Sequence, residues 1–247
     1  LEDERLEKIV TPGNASRWDR RSLDEMISEA VSAARNSDVV IAAMGEAANM
    51  SGESGSRTDI SLPECQKKLL KALTGTGKPV VLVLFSGRPM TLAWENEAMT
   101  SILQTWFGGS EAADAITDVL FGDVNPSGKL TMSFPFSVGQ IPVYYNMKNT
   151  GRDAYSKDYR RYASNWIDCP NEPLYPFGYG LSYTTFEYSP VALSDTVMTV
   201  NGAVKAKVTV SNTGEYDGYE VAQLYIRDVV SSETRPVKEL KGFRRVF

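Results

Sequence analysis

Val39-Val40-Ile41-Ala42-Ala43-Met44 is an unbroken apolar run, and residues 45–63, reading GEAANMSGESGSRTDISLP, follow it directly. Such a run predicts a strand inside a parallel sheet covered on both faces. A helical pattern resumes at Glu64. The stretch between is small, polar and charged, with two glutamates, Glu46 and Glu53. Its large apolar side chains are Met50, Ile60 and Leu62. That is a long connection for a compact α/β unit, and long loops carry function more often than they idle. Chemistry is expected here, with the rest of the chain as its scaffold.

Working outward, Ser22 and Glu25 form a capping box, and Met26, Ala30, Val31 and Ala34 share one helical face that ends at Asn36-Ser37-Asp38. Beyond the loop, Pro63 suits a helix start, Leu69, Leu70 and Leu73 supply an inner face, and Gly75-Thr76-Gly77 closes the helix. Pro79 to Phe85 reads as a second buried strand and Ser101 to Trp106 as a third. A helix follows Glu111 with Ala112, Ala115, Ile116, Val119 and Leu120 inward, and Leu130 to Phe134 reads as a short last strand. This is a layered α/β domain over residues 1–136, with residues 1–20 as a connection. Residues 137–174 lose periodicity but are rich in aromatics, as in a connection packed against a surface. Residues 175–247 read as a partial all-β sandwich. Its strands are Thr184 to Tyr188, Ala203 to Asn212, Glu220 to Val229 and Leu240 to Phe247. Val204, Ala206, Val208 and Val210 alternate with Lys205, Lys207 and Thr209.

With 247 residues there is room for one large or two ordinary domains, and 42 % hydrophobic residues mark a globular chain. Thirty-one acids against twenty-six bases leave a net charge of -5 with no basic block, which argues against a nucleic-acid partner. No apolar run reaches the length of a membrane span. The chain has no histidine. That removes Ser-His-Asp and Cys-His catalysis and His-based zinc sites. Cys65 and Cys169 are too few for a cysteine metal cluster. Cys65 lies in a helical pattern and reads as a buried free thiol, with a single disulfide to Cys169 as the other reading. Carboxylates, Tyr, Lys and Ser remain for catalysis.

No cofactor is expected. Gly75-Thr76-Gly77-Lys78 lacks the spacing of a phosphate loop, Gly108-Gly109-Ser110 reads as a tight turn capped by Ser110, and there is no dinucleotide fingerprint. Within the loop, Glu53 lies between Gly52 and Ser54-Gly55, whose small size lets a carboxylate protrude. Arg57 and Asp59 follow at a spacing that suits a pair bracing the loop. Glu46, at the carboxyl end of the strand, competes with Glu53, since such positions often line ligand sites. The plain reading of Glu53 is one solvated acid among thirty-one.

The loop, Lys78 to Leu84 with Ser86-Gly87-Arg88-Pro89, and Trp106-Phe107-Gly108-Gly109-Ser110-Glu111 resemble the glycoside hydrolase family 3 β-glucosidases. Two longer stretches, Val119 to Leu130 (VLFGDVNPSGKL) and Tyr175 to Thr184 (YPFGYGLSYT), carry the same resemblance, which covers the chain from about Asp38 to its end. It implies an α/β/α sandwich portion followed by the start of a fibronectin type III-like domain. It also implies a barrel domain elsewhere in the polypeptide that holds the nucleophilic aspartate and most sugar contacts. Glu53 then takes the place of the general acid/base, with Arg57 and Asp59 supporting the loop and Glu46 as the alternative acid. In the family that the chain resembles, many members follow the acid/base glutamate with an Asp-Arg pair, an order that is reversed here.

The implied activity is retaining, exo-acting cleavage of β-linked glycosides, a β-glucosidase first and a β-xylosidase next. The implied partners are the substrate and the protein's own barrel, the isolated chain is expected to be inactive, and the implied compartment is periplasmic or extracellular. The chain opens Leu1-Glu2-Asp3 and closes in a strand-like segment, so both ends are expected to be cuts through a longer polypeptide. The competing reading is a carbohydrate-binding or structural module, with Tyr144, Tyr145, Tyr155, Tyr159 and Trp166 as stacking candidates, although packing between domains is the favoured role for these rings.

Overall fold

A computed structural model describes residues 21–152 and 161–247. The reading of residues 1–20, and those of Tyr155 and Tyr159, lie outside the described residues. Helix α1 (Leu23–Arg35) opens the fold on its capping box: the Glu25 amide donates to Ser22 Oγ at 3.2 Å, and the Ser22 amide donates to Glu25 Oε2 at 2.8 Å. Strand β1 (Val40–Gly45) follows, then the long loop, helix α2 (Glu64–Thr74) and strand β2 (Val80–Phe85). A six-residue helix α3 (Ala93–Ala98) carries the chain over to strand β3 (Ser101–Gln104), and helix α4 (Ala112–Phe121) comes next. The strands form one parallel sheet in the order β1-β2-β3, with Ala42 opposite Leu82 and Leu82 opposite Ile102. Helix α1 packs on α2, and α2 on β1. Sequence reading had no element between β2 and β3. Parallel neighbours cannot be joined by a tight turn, and α3 is the crossover that this geometry demands.

The core lies on one face of the sheet. Ala42, Met44, Val80, Leu82 and Leu84 meet Leu70 and Leu73 of α2, with Leu62, Met90, Leu92 and Phe134 closing the edges. β2 is central and buried on both faces, as expected. β1 is not: Ile41 and Ala43, on the opposite face from Ala42, are exposed, so the expected two-sided cover holds for β2 alone. Cys65 also departs from expectation. Both cysteines are free, but Cys65 is exposed, because it lies with Lys68 and Lys71 on the outer face of α2.

Helix α4 is capped by neither Ser110 nor any other side chain. Its N-cap is Glu111, one residue further on. Ile116, Val119 and Leu120 are half-buried, while Ala115 is exposed. Leu130 to Phe134 is not a strand. It meets residues 175–179 through the Phe134–Tyr175 bridge, through Ser133 Oγ, which accepts from the Phe177 amide at 3.2 Å, and through Leu130, which bonds Gly178 and Tyr179 at 2.7 Å each. The rings of Trp106, Phe134, Tyr175 and Tyr179 meet in series over this junction, tilted, edge-on and then stacked, with centroids 5.4–6.0 Å apart.

The β-rich part comprises, among the described residues, three antiparallel pairs. Strand β4 (Phe186–Tyr188) pairs with β7 (Val210–Asn212), β5 (Ala192–Leu193) with β6 (Ala206–Lys207), and β8 (Glu220–Ile226) with β9 (Glu239–Val246). The single strand expected over residues 203–212 is therefore split into β6 and β7. The cause is on the partner side: Pro190 has no N–H, so the ladder stops there, and Ser189 satisfies Thr209 instead, through its amide and its hydroxyl at 2.9 Å each. Tyr145 of the connection stacks on Phe177 at 4.3 Å and meets Tyr225 of β8 edge-on, so this ring packs the connection against the β-rich part. No described helix is long and apolar enough to cross a membrane.

Candidate active site

The long loop leaves β1 through a position that only glycine can fill. Gly45 has φ +139°, and a Cβ there would stand 1.8 Å from the carbonyl oxygen of Phe85. Gln66 of α2 clamps the same residue from the other side, accepting from its amide at 2.8 Å and donating to its carbonyl at 2.9 Å. Strand end and helix start are thus tied together at the loop's base.

Glu46 comes next and turns inward. Its side chain has 0 % exposure and binds Arg57 Nη1 at 2.9 Å and Arg88 Nε at 3.0 Å, while the Gly87 amide donates to it at 3.3 Å. A carboxylate so enclosed is stable only with such partners. Arg57 therefore braces the loop through Glu46 and not through Asp59. It also donates to the Ser61 carbonyl at 3.2 Å. Asp59 supports the loop by a local turn, accepting from the Ser61 amide at 2.8 Å. The Ser61 side chain first, and then this amide, hold the Asp59 carboxyl below its ordinary range against the opposing effect of burial, and Lys67 and Arg57 add to the lowering.

A short 3₁₀ turn, Ala48–Met50, brings Met50 into the core, and Ile60 and Leu62 are buried at the far end. Between these anchors the tip, Ser51 to Ser54, projects. Gly52 has φ +121° and Ser54 φ +60°, and the Gly55 amide closes the turn onto the Gly52 carbonyl at 3.0 Å. Glu53 sits on this tip, exposed, and its carboxylate has no hydrogen-bond or ion-pair partner among the described residues. The structure thus separates the two glutamates that the sequence left in competition: one is enclosed by arginines and the other is presented to solvent.

Sequence reading missed Arg88 as part of this site. Its Nη2 donates to the carbonyls of Met50, at 2.6 Å, and Gly55, at 2.7 Å. The signal was a glutamate directly after a buried strand, which needs a cation from somewhere. Arg57 was the near candidate, and Arg88 is 42 residues away in sequence. Tyr144 and Trp166, the aromatics proposed for stacking on sugar, are about half exposed. Among the described residues no group of three or more His, Cys, Asp or Glu side chains is placed to hold a metal ion.

The molecule is thus a two-part module, an α/β domain presenting one free carboxylate on a braced loop, joined to an antiparallel β domain. Residues 3–183 match the glycosyl hydrolase family 3 C-terminal domain, and residues 220–247 match the fibronectin type III-like domain. The chain belongs to the glycosyl hydrolase family 3 C-terminal domain family. It is similar to a periplasmic beta-glucosidase of Salmonella typhimurium, 53 % identical over 232 residues, which are 94 % of this chain and 30 % of that protein. A beta-xylosidase of Formosa agariphila is 46 % identical over 226 residues, 90 % of this chain and 30 % of the relative. Among solved structures, a beta-glucosidase from Listeria innocua in complex with glucose superposes with a TM-score of 0.87 at 44 % identity, over 93 % of this chain and 32 % of that one. The chain thus spans about a third of the relatives it matches.

Proposed function

We propose that this chain is the part of a retaining, exo-acting β-glycosidase that carries the general acid/base, Glu53, to a barrel domain of the same polypeptide. A β-glucosidase is the first reading and a β-xylosidase the second, in line with the names of the relatives. Residues 1–136 then form the sandwich portion, 137–174 the packed connection and 175–247 the fibronectin-like portion. The periplasmic relative supports a periplasmic or secreted location.

The observation that carries the reading is the contrast between Glu53 and Glu46. An acid/base must reach the substrate and exchange its proton, so it must be unpaired and presented, as Glu53 is. Glu46 is enclosed and bound by two guanidinium groups. In a retaining mechanism the partner carboxylate would stand about 5–5.5 Å away, on the barrel. Glu53 would first protonate the leaving oxygen while that carboxylate attacks the sugar. It would then take a proton from the water that releases the sugar.

The test uses the complete polypeptide. Glu53→Gly should lose cleavage of glycosides with poor leaving groups, while the glycosylation step with activated aryl glycosides should suffer far less. Added azide should restore turnover and give a β-glycosyl azide, since azide attacks without needing a base. Glu46→Gly should show no azide rescue. Rescue of Glu46→Gly and not Glu53→Gly would reverse the assignment. The isolated chain should not hydrolyse aryl β-glucosides, and turnover by it that is lost in Glu53→Gln would refute the two-domain site.

A further inference from the structure

We infer that Arg88 is the positioning residue for Glu53. This rests on the reading of Glu53 as the acid/base. The four residues of the tip, Ser51 to Ser54, are bounded by the carbonyls of Met50 and Gly55. One nitrogen, Arg88 Nη2, donates to both, at 2.6 and 2.7 Å. The two ends of the projection are thereby drawn to a single point, and the height of Glu53 above the domain is set from there.

The guanidinium is itself held. Glu46 binds its Nε at 3.0 Å, so the enclosed glutamate acts on the exposed one through Arg88. The backbone of Arg88 is fixed as well. Ser86, fully buried, donates to the Arg88 carbonyl at 2.9 Å, and Gln104 of β3 donates to Ser86 Oγ at 2.9 Å. Gly87 completes the seat, since a Cβ on it would stand 2.0 Å from Ser51 Oγ, so the first tip residue rests directly on bare backbone. Sheet, Ser86, Arg88 and tip form one continuous chain of contacts. A lysine could not reproduce this, because a point ammonium lacks the planar fork that serves Glu46 and two carbonyls together.

Proton delivery needs the acid within hydrogen-bond reach of the leaving oxygen, so a tip shifted by an ångström loses general-acid assistance before it loses binding. The complete polypeptide should be compared with Arg88→Lys and with Gly87→Ala, which displaces Ser51 while keeping the arginine. The readout is kcat/KM across aryl β-glucosides of rising leaving-group pKa, with the unfolding midpoint measured in parallel.

Both variants should lose about 10- to 100-fold on the poorest leaving groups and under about threefold on dinitrophenyl-type ones, giving a steeper leaving-group dependence. A uniform loss across the series, tracking the folded fraction, would mean a structural role only and overturn the inference. So would an unchanged series in both variants. Glu53→Gly on the same substrates separates the two claims. If it shows its leaving-group dependence and azide rescue while the Arg88 and Gly87 variants stay flat, only the positioning role fails. If Glu53→Gly shows neither, the reading of Glu53 itself fails.

Discussion

Glu46 and Arg57, eleven residues apart in one loop, form an ion pair at 2.9 Å whose carboxylate has no solvent exposure. The two arginines that share this carboxylate keep 17 % and 21 % exposure, so part of their hydration survives folding. Glu46→Leu should therefore destabilise the chain toward the lower end of the about 3–5 kcal/mol typical of breaking a buried pair. Urea unfolding measures this directly. A variant as stable as the parent would mean that the pair does not hold the loop.

Gly45→Ala should be severe. The residue has φ +139°, and its Cβ would meet the Phe85 carbonyl oxygen at 1.8 Å, so backbone must move. A loss of at least about 3 kcal/mol or failure to accumulate as folded protein is expected. Gly128→Ala is the control, with nothing within 4 Å of the added carbon, and should stay within about 0.5 kcal/mol of the parent. Equal unfolding midpoints for both would refute the steric account.

Glu95 on α3 gives a pH prediction. Its side chain is buried among Trp94, Thr91 and Phe136 in a surface cleft of about 320 Å³. Burial raises its pKa above the ordinary 4.5, although its own backbone amide and the charges of Lys67 and Lys71 pull the other way. Tyr175, the nearby phenol, is itself pushed up to about 12 and stays neutral. A raised acid favours the folded state fully below pH 4.5, and that contribution is lost as pH rises through the folded pKa. Glu95→Gln should therefore raise the thermal midpoint at pH 7 and leave it nearly unchanged at pH 4. A stabilisation larger at pH 4 than at pH 7 would contradict the sign.

Asn125 joins the two parts of the chain. Its Nδ2 donates to the Asp217 carbonyl at 3.0 Å, and its Oδ1 accepts from Ser182 Oγ and the Tyr183 amide at 2.8 Å each. Asn125→Ala strands these partners and should cost about 1–3 kcal/mol, with faster proteolysis in the segment between the two parts. Asn125→Asp keeps the acceptor and should cost less. Unchanged proteolysis in the alanine variant would show that other contacts, such as Lys129–Glu220 at 3.1 Å, hold the junction alone.

What could be read from the sequence was what is local. The Ser22–Glu25 box, the inner face of α2 and the buried run of β2 each need only neighbours in the chain, and each stands where the pattern put it. The reading failed where a distant residue decides. Residues 203–212 look like one strand until Pro190 interrupts the partner, and α3 is too short to show a helical period. The loop and its two glutamates were found from length and composition. Which of them faces solvent depended on Arg88, and no periodicity ties position 46 to position 88. Arg57 and Asp59 likewise looked like a mutual pair by spacing, but each serves a different partner.

The uncovered flank of β1 has a colloidal consequence. β1 is an edge of the sheet among the described strands, and Val39 and Ile41 beside that edge are 50 % and 48 % exposed. Up to Gly45, whose amide and carbonyl Gln66 occupies, such an edge with β-branched side chains beside it is a template for strand addition. Handled on its own, the chain should scatter more light as its concentration rises. A lysine at Ile41, directed outward from the sheet, should raise its solubility without lowering its unfolding midpoint.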